Sequence, residues 1–194
     1  MQDNISSYTK RILAIVGMPG SGKSETAAYI EEKGYARIRF GIVTEEGLRE
    51  KGLPLSPEHE ESFREELRKE LGMAAYAIRS ESKISDLLEK TDTIVLDGLY
   101  SWEEYQYLVR RFPFLTLVHV YAEPEIRYKR LATRSKRSFT IAQARNRDIS
   151  EIEHLNKGGP IAMADHIIVN NTDITQLHKQ LDLLLAQVGR RSDK

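Results

Sequence analysis

Five short apolar runs, rich in β-branched residues, alternate along the chain with stretches of helical period. They are Arg11–Gly17 (RILAIVG), Tyr35–Phe40 (YARIRF), Thr93–Asp97 (TIVLD), Leu115–Tyr121 (LTLVHVY) and His166–Val169 (HIIV). The first, third and fourth are almost continuously hydrophobic, as strands are when helices cover both their faces. Strands alternating with helices join into a parallel sheet through right-handed βαβ units. The pattern predicts an α/β three-layer sandwich, a five-stranded parallel sheet with helices on both faces, forming a single domain over residues 1–194.

Local signals place the helices. Ser101 precedes Glu104, and Thr140 precedes Gln143, at the spacing of a capping box. Ser56 followed by Pro57 reads as an N-cap with proline in the first turn, and Phe63, Leu67 and Leu71 then fall on one stripe. From about Thr172 a last helix stacks Ile174, Leu177, Leu181, Leu184, Leu185 and Val188 on one apolar face, which should close the domain against the sheet.

Two stretches exceed what a simple crossover needs. Gly41–Lys90 reads as several helices forming an inserted substrate cap, and Arg134–Gly159 as a lid with Gly158-Gly159 as a hinge near its end. Excursions of that size inside one domain are usually functional. The core is then expected over about residues 11–40, 91–133 and 160–188. Residues 1–10 and 189–194 read as frayed ends.

Composition narrows the function. Lysine plus arginine and aspartate plus glutamate each number 29, so no global charge draws the chain to nucleic acid or an anionic membrane. Cysteine is absent, which excludes disulfides and thiolate metal sites. No apolar run has signal-peptide or membrane-spanning character, so a cytoplasmic location is expected. His59, His119, His154, His166 and His178 are scattered without metal-ligand spacing and read as structural.

One segment carries chemistry. Gly17-Met18-Pro19-Gly20-Ser21-Gly22-Lys23-Ser24 matches G-x-x-x-x-G-K-[ST] in full, between a strand and a helical pattern. Its glycines let successive backbone N–H groups curl around phosphate oxygens, and the following helix adds its positive end. Lys23 should reach the β- and γ-phosphates of ATP, and Ser24 should ligate Mg2+. Thr26, two residues into the helix, is counted with this cofactor-binding set.

Two further features are read functionally, each against a plainer alternative. Asp97-Gly98 ends the third strand, at the edge of the sheet where ligands bind. Asp97 there can hold magnesium, although Asp-Gly is also a common turn. From Ile126 to Arg147 there is no acidic residue, yet Arg127, Lys129, Arg130, Arg134, Lys136, Arg137, Arg145 and Arg147 are basic. A solvated helix face or an RNA patch would read the same way, but aromatics for base stacking are sparse. A phosphate-embracing lid is the preferred reading, with Arg134, Arg137, Arg145 and Arg147 as its catalytic candidates.

Taken with these residues, the chain resembles the nucleoside-monophosphate-kinase-like P-loop families. It looks most similar to dephospho-coenzyme-A-kinase-related proteins and their archaeal adenylate-kinase-like relatives. The resemblance runs from about Arg11 to Leu184 and rests on Gly17–Ser24, Asp97-Gly98, Ala122–Leu131 and Ala164–Asn171. It implies a substrate cap, an arginine-bearing lid, a last strand near the nucleotide base, and phosphoryl transfer from ATP to a small acceptor. In adenylate kinases a Gly-Asp pair and an arginine follow the second strand. Here Ile42 follows Gly41 and Glu45 sits near the arginine's place, while Leu99-Tyr100-Ser101-Trp102 follows Gly98. The donor side thus reads as intact and the acceptor side as rebuilt.

The expected activity is a small-molecule kinase acting on a nucleotide-like acceptor such as dephospho-coenzyme A or a nucleoside monophosphate. Asp97 could serve as base if the acceptor is a hydroxyl. Its expected partners are the nucleotide donor and that acceptor, with no nucleic acid and no membrane. The alternative is a regulatory or assembly protein with weak nucleotide hydrolysis.

Overall fold

In the computed structural model, residues 10–134 and 138–190 are described. Lys136, Arg137 and most of the two chain ends singled out above lie outside them. Five parallel strands, β1 (Arg11–Val16), β2 (Ala36–Arg39), β3 (Thr93–Asp97), β4 (Leu115–Tyr121) and β5 (His166–Val169), form one sheet in the order β2-β3-β1-β4-β5. The runs read as strands therefore are strands, with β2 trimmed at both ends. Central β1 pairs Ile15 with Asp97 on one side and Val16 with His119 on the other.

Alternation along β1 divides the core. Leu13 and Ile15 face α1 (Lys23–Glu32) and α9 (Ile174–Arg190), where Ala27, Ile30, Leu177, Leu181 and Leu184 are buried. Ile12, Ala14 and Val16 face the opposite layer, with Tyr76 and Ile84 of α4 (Ala75–Leu88) and Leu108 of α5 (Trp102–Arg111). Burying each large aliphatic side chain contributes about 1.5–3 kcal/mol, and β1 is covered on both sides. The sheet is thus a rigid platform for whatever its carboxyl edge carries. On α9 the apolar face is as expected except for Ile174, which is half exposed at the helix start.

Two excursions interrupt the strand–helix alternation, although α4 of the first belongs to the core layer just described. Residues 41–90 form α2 (Ile42–Glu50), α3 (Pro57–Leu71) and α4, with Leu67 of α3 and Val43 of α2 anchored in the core. Ser56 caps α3, accepting from His59 N, with Pro57 in its first turn. Following α6 (Pro124–Ala132), α7 (Ile141–Leu155) starts at a complete Thr140–Gln143 capping box, and Ser101–Glu104 makes another on α5. Gly158 and Gly159 do not form a hinge loop. They open α8 (Gly158–Ala162), and a Cβ on Gly159 would lie 2.6 Å from the Trp102 ring, so this glycine serves close packing.

Candidate functional site

Between β1 and α1 the chain makes a tight loop whose glycines are dictated by contact as well as conformation. Gly17 and Gly22 have φ of 153° and 102°. A Cβ would lie 2.4 Å from the Val120 carbonyl oxygen at Gly17 and 2.3 Å from Asn170 Nδ2 at Gly22. The loop is pinned from outside: Asn170 Nδ2 donates to the Ser21 carbonyl at 2.8 Å and Arg127 Nη1 to the Pro19 carbonyl at 3.0 Å. Inside it, the buried Ser21 hydroxyl has no hydrogen-bond partner. That is a polar cradle lacking a counterpart.

Lys23 completes it. Its ammonium donates to the Met18 carbonyl at 3.0 Å, folding the side chain back over the loop. Burial first, then the nearby Lys157 charge, pushes the Lys23 pKa down to about 7, against the pull of Glu151 and Asp97. A half-buried lysine so depressed is short of negative charge, which a phosphate group would supply. Ser24 is exposed at the start of α1, whereas Thr26 is fully buried beneath the loop with its hydroxyl unpartnered.

Asp97 lies at the carboxyl end of β3, 8% exposed, and is already engaged. Arg37 of β2 donates to its carboxylate at 2.5 Å and to Glu31 at 3.1 Å. The remaining donor set still suits magnesium, a hard cation that takes one or two protein oxygens and fills its shell with phosphate oxygens and water. Ser24 and Asp97 can be those two. No cluster of three metal-ligating side chains exists among the described residues.

The basic run separates into different roles. Arg127 is buried and bidentate to Asp148 of α7, at 2.9 and 2.6 Å, tying the helix to the loop it also grips. Lys129 pairs with Glu125 on the surface. Arg134, with Arg130, lines a cleft of about 260 Å³ beside Gly20, Gly22, Asn170 and Thr172. Arg145 is exposed on α7, and Arg147, one turn before Glu151, bonds to it at 3.2 Å. The four catalytic candidates thus do not converge: Arg134 and Arg147 line different clefts, and Arg137 lies outside the described residues. The acid-free span finds its carboxylates just beyond its ends, in Glu125, Asp148 and Glu151.

A second cleft, of about 440 Å³, opens between α3, the β3–α5 connection and α7. Its lining includes Thr44, Arg64, Arg68, Tyr76, Tyr100, Arg147 and Glu151. Beside it Lys157, 1% exposed, donates to Glu151 at 2.5 Å and lies 5.7 Å from the Tyr100 ring centre. Burial alone would raise the Glu151 pKa, but Lys157, Arg147 and Lys23 together hold it low. The Tyr100 hydroxyl would meet a Cβ on Gly98 at 2.9 Å. Burial and the Glu104 charge keep that phenol protonated. Lys157, Glu151, Arg37 and Tyr100 were not singled out as site residues by sequence reasoning. Only the Arg64–Arg68 spacing, one turn apart on a predicted helix, carried a readable signal.

Known proteins are similar to this chain in sequence and in fold. A family model described as an AAA domain matches residues 13–156. A UPF0200 protein of Thermococcus gammatolerans is 32% identical over 183 residues, covering 92% of this chain and 96% of its own. Among solved structures, shikimate kinase from Bacteroides thetaiotaomicron superposes with a TM-score of 0.60 at 15% identity, covering 92% of this chain and 98% of its own. Dephospho-CoA kinase from Campylobacter jejuni does so with a TM-score of 0.56 at 12% identity, covering 93% and 98%. Those two identities speak for the fold alone, which is that of the P-loop kinases. Through its sequence relatives and the matched family model, the chain belongs to the UPF0200 family of P-loop proteins, with a nucleoside-monophosphate-kinase-like architecture.

Proposed function

We propose that this chain is a small-molecule kinase that transfers the γ-phosphoryl group of ATP to an acceptor in the cleft between cap and lid. One observation carries the reading: Arg147 and Glu151 line that cleft and also bear electrostatically on Lys23 in the loop. Donor and acceptor would therefore share one field. The acceptor would be a nucleotide or nucleotide-like molecule, such as dephospho-coenzyme A or a nucleoside monophosphate.

Each residue then has a task. Backbone N–H groups of Gly17–Ser24 cradle the phosphates, Lys23 spans the β- and γ-phosphates, and the cleft beside Arg130, Arg134 and Asn170 takes the nucleoside. Magnesium, held by Ser24 and Asp97, would offset charge on those phosphates. As an acceptor oxygen bonds to the γ-phosphorus, its bond to the β,γ-bridging oxygen breaks and ADP departs with the electron pair. An acceptor hydroxyl would pass its proton to Asp97, and a phosphate acceptor needs no base. Catalysis is then positioning and electrostatics.

Residues 41–90 act as the substrate cap and 134–159 as a lid that closes on nucleotide. Slower hydrogen exchange across α7 with ATP and magnesium, beyond any change in α9, would support closure, and equal exchange would refute it. The Arg37–Asp97 ion pair favours a second reading, a regulatory protein that hydrolyses nucleotide weakly, because it occupies the proposed base. Labelled ATP and magnesium with a panel of acceptors separates the two. Label appearing in an acceptor supports the kinase, whereas phosphate release indifferent to every acceptor supports the regulatory protein.

No described helix is long and apolar enough to cross a membrane.

A further inference from the structure

The cleft under the cap is lined by three arginines and three glutamates, and each of the glutamates is already engaged. Glu45 at its rim is engaged by Arg39 at 2.8 Å, Glu60 by Arg64 at 3.4 Å, and Glu151 by Lys157 and Arg147 at 2.5 and 3.2 Å. Arg68 is different. Its buried Nε has no hydrogen-bond partner, and its guanidinium lies 5.7 Å from the Tyr76 ring centre. The buried carboxyl whose field it feels is Glu104, which burial pushes up to about 7, so at neutral pH that group is only partly charged.

Position adds to the imbalance. Arg64 and Arg68 stand one turn apart on α3, so both guanidinium groups project to the same side, and both line the cleft. Like charges at this spacing repel, and Arg147 from α7 adds a third cation to the lining. Arginine forks match the paired oxygens of carboxylate and phosphate, and an unpaired buried N–H is costly to keep. A neutral polyol could accept from Arg68 but would leave its charge uncompensated. The remaining wall is suited to the body of a small molecule: Tyr76 and Tyr100 meet edge to face at 5.7 Å, and the Tyr76 hydroxyl is bonded to Thr44 at 2.7 Å.

We infer that the acceptor is an anion, a small molecule bearing a carboxylate or phosphate that Arg68 and Arg64 grip, with Arg147 closing from the lid side. This rests on reading the cleft as the acceptor site, and it explains the rebuilt acceptor side. The anion-holding arginines come from the middle of α3, away from the ends of β2 and β3.

The test uses matched neutral and anionic molecules: sorbitol against gluconate, and adenosine against adenosine monophosphate. With ATP and magnesium, at least one anionic member should be phosphorylated with kcat/KM about tenfold or more above its neutral twin. Arg68→Gln should erase that preference, mostly through KM, with Arg68→Lys keeping part of it. Arg64→Gln, whose side chain already has Glu60, should do less. A binding arm separates this inference from the kinase reading. In a Lys23→Met background, where transfer is disabled, calorimetry should still detect the anionic twin and lose it with Arg68→Gln. Binding without transfer in any protein would defeat the kinase while keeping the anion site, and a carboxylate-only or phosphate-only response would name the group. Equal handling of both twins, indifference to Arg68→Gln in a folded protein, or no anionic member binding at about 10 mM would overturn the inference.

Discussion

The loop around Lys23 and the cleft around Arg68 both gather positive charge, but they are made differently. At the loop, seven of eight consecutive residues, Pro19 excepted, carry backbone N–H groups, and the neighbours that hold them, Asn170 and Arg127, bond to loop carbonyls. At the cleft, side chains arrive from α2, α3, α4, the β3–α5 connection and α7. A contiguous backbone cradle tolerates little variation, because each glycine meets a fixed neighbour. A cleft of side chains on separate helices can be rebuilt one residue at a time. That difference explains how one fold can keep its phosphate loop while the cleft beside it varies.

The largest effect should come from the loop. Lys23→Met removes the charge facing the phosphates, and transfer should fall by at least about a hundredfold, near 3 kcal/mol of barrier. The empty variant should melt higher than the parent, since it no longer holds a half-desolvated ammonium near Lys157. Scanning calorimetry with and without ATP checks both halves. A variant that keeps full ATP affinity would remove Lys23 from the site.

Metal comes next. Asp97→Asn and Ser24→Ala should each cost on the order of tenfold in magnesium-dependent transfer, with smaller losses in metal-free nucleotide binding. Arg37→Gln is the informative companion. If Arg37 restrains Asp97 against service as a base, this variant should be faster on hydroxyl acceptors and unchanged on phosphate acceptors. Asp97→Asn that leaves the metal dependence intact would return Asp97-Gly98 to an ordinary turn.

Acidity sharpens the loop further. Lys23 titrates near 7 when folded against 10.5 when free, so across that window the unfolded chain holds more protons and the empty protein gains stability as pH rises. Bound triphosphate favours the charged form, so binding must restore the proton. Nucleotide affinity should fall roughly tenfold per unit above pH 7, with uptake of about one proton at pH 8 seen by calorimetry in buffers of different ionisation heat. Lys23→Met should show neither.

The smallest effect lies under the cleft. Glu104 carries a pKa raised by burial to about 7 from 4.5, so the folded state keeps its proton longer, and that stabilisation is lost as pH rises through 7. Glu104→Gln can still accept the Tyr100 and Ser101 N–H bonds, and should raise the melting midpoint by a few degrees at pH 8 but little at pH 5. Equal shifts at both values would place the gain elsewhere than in the charge.

What the chain determines by itself is whatever lies within a few residues. The strands are legible because each is a short apolar run, and the caps at Ser56, Ser101 and Thr140 because side chain and backbone partner are three residues apart. The loop Gly17–Ser24 is legible because its function resides in consecutive peptide groups. Charge pairing was not. Arg37 meets Asp97 across 60 positions and Arg127 meets Asp148 across 21, so a run that read as a cluster of free cations is partly internal cross-linking. Lys157 reaches Glu151 only after α7 ends at Asn156 in the left-handed conformation, φ 51°, which turns the chain back on itself. Gly159 lies against Trp102, a neighbour that no local pattern names. The tertiary structure decided these because a side chain's charge is written in the sequence, while its partner is chosen by how helices pack on the sheet. For the same reason the phosphate loop was already visible in eight letters, and the arginine-lined cleft took shape only when α3 and α7 were brought over the carboxyl edge of β3.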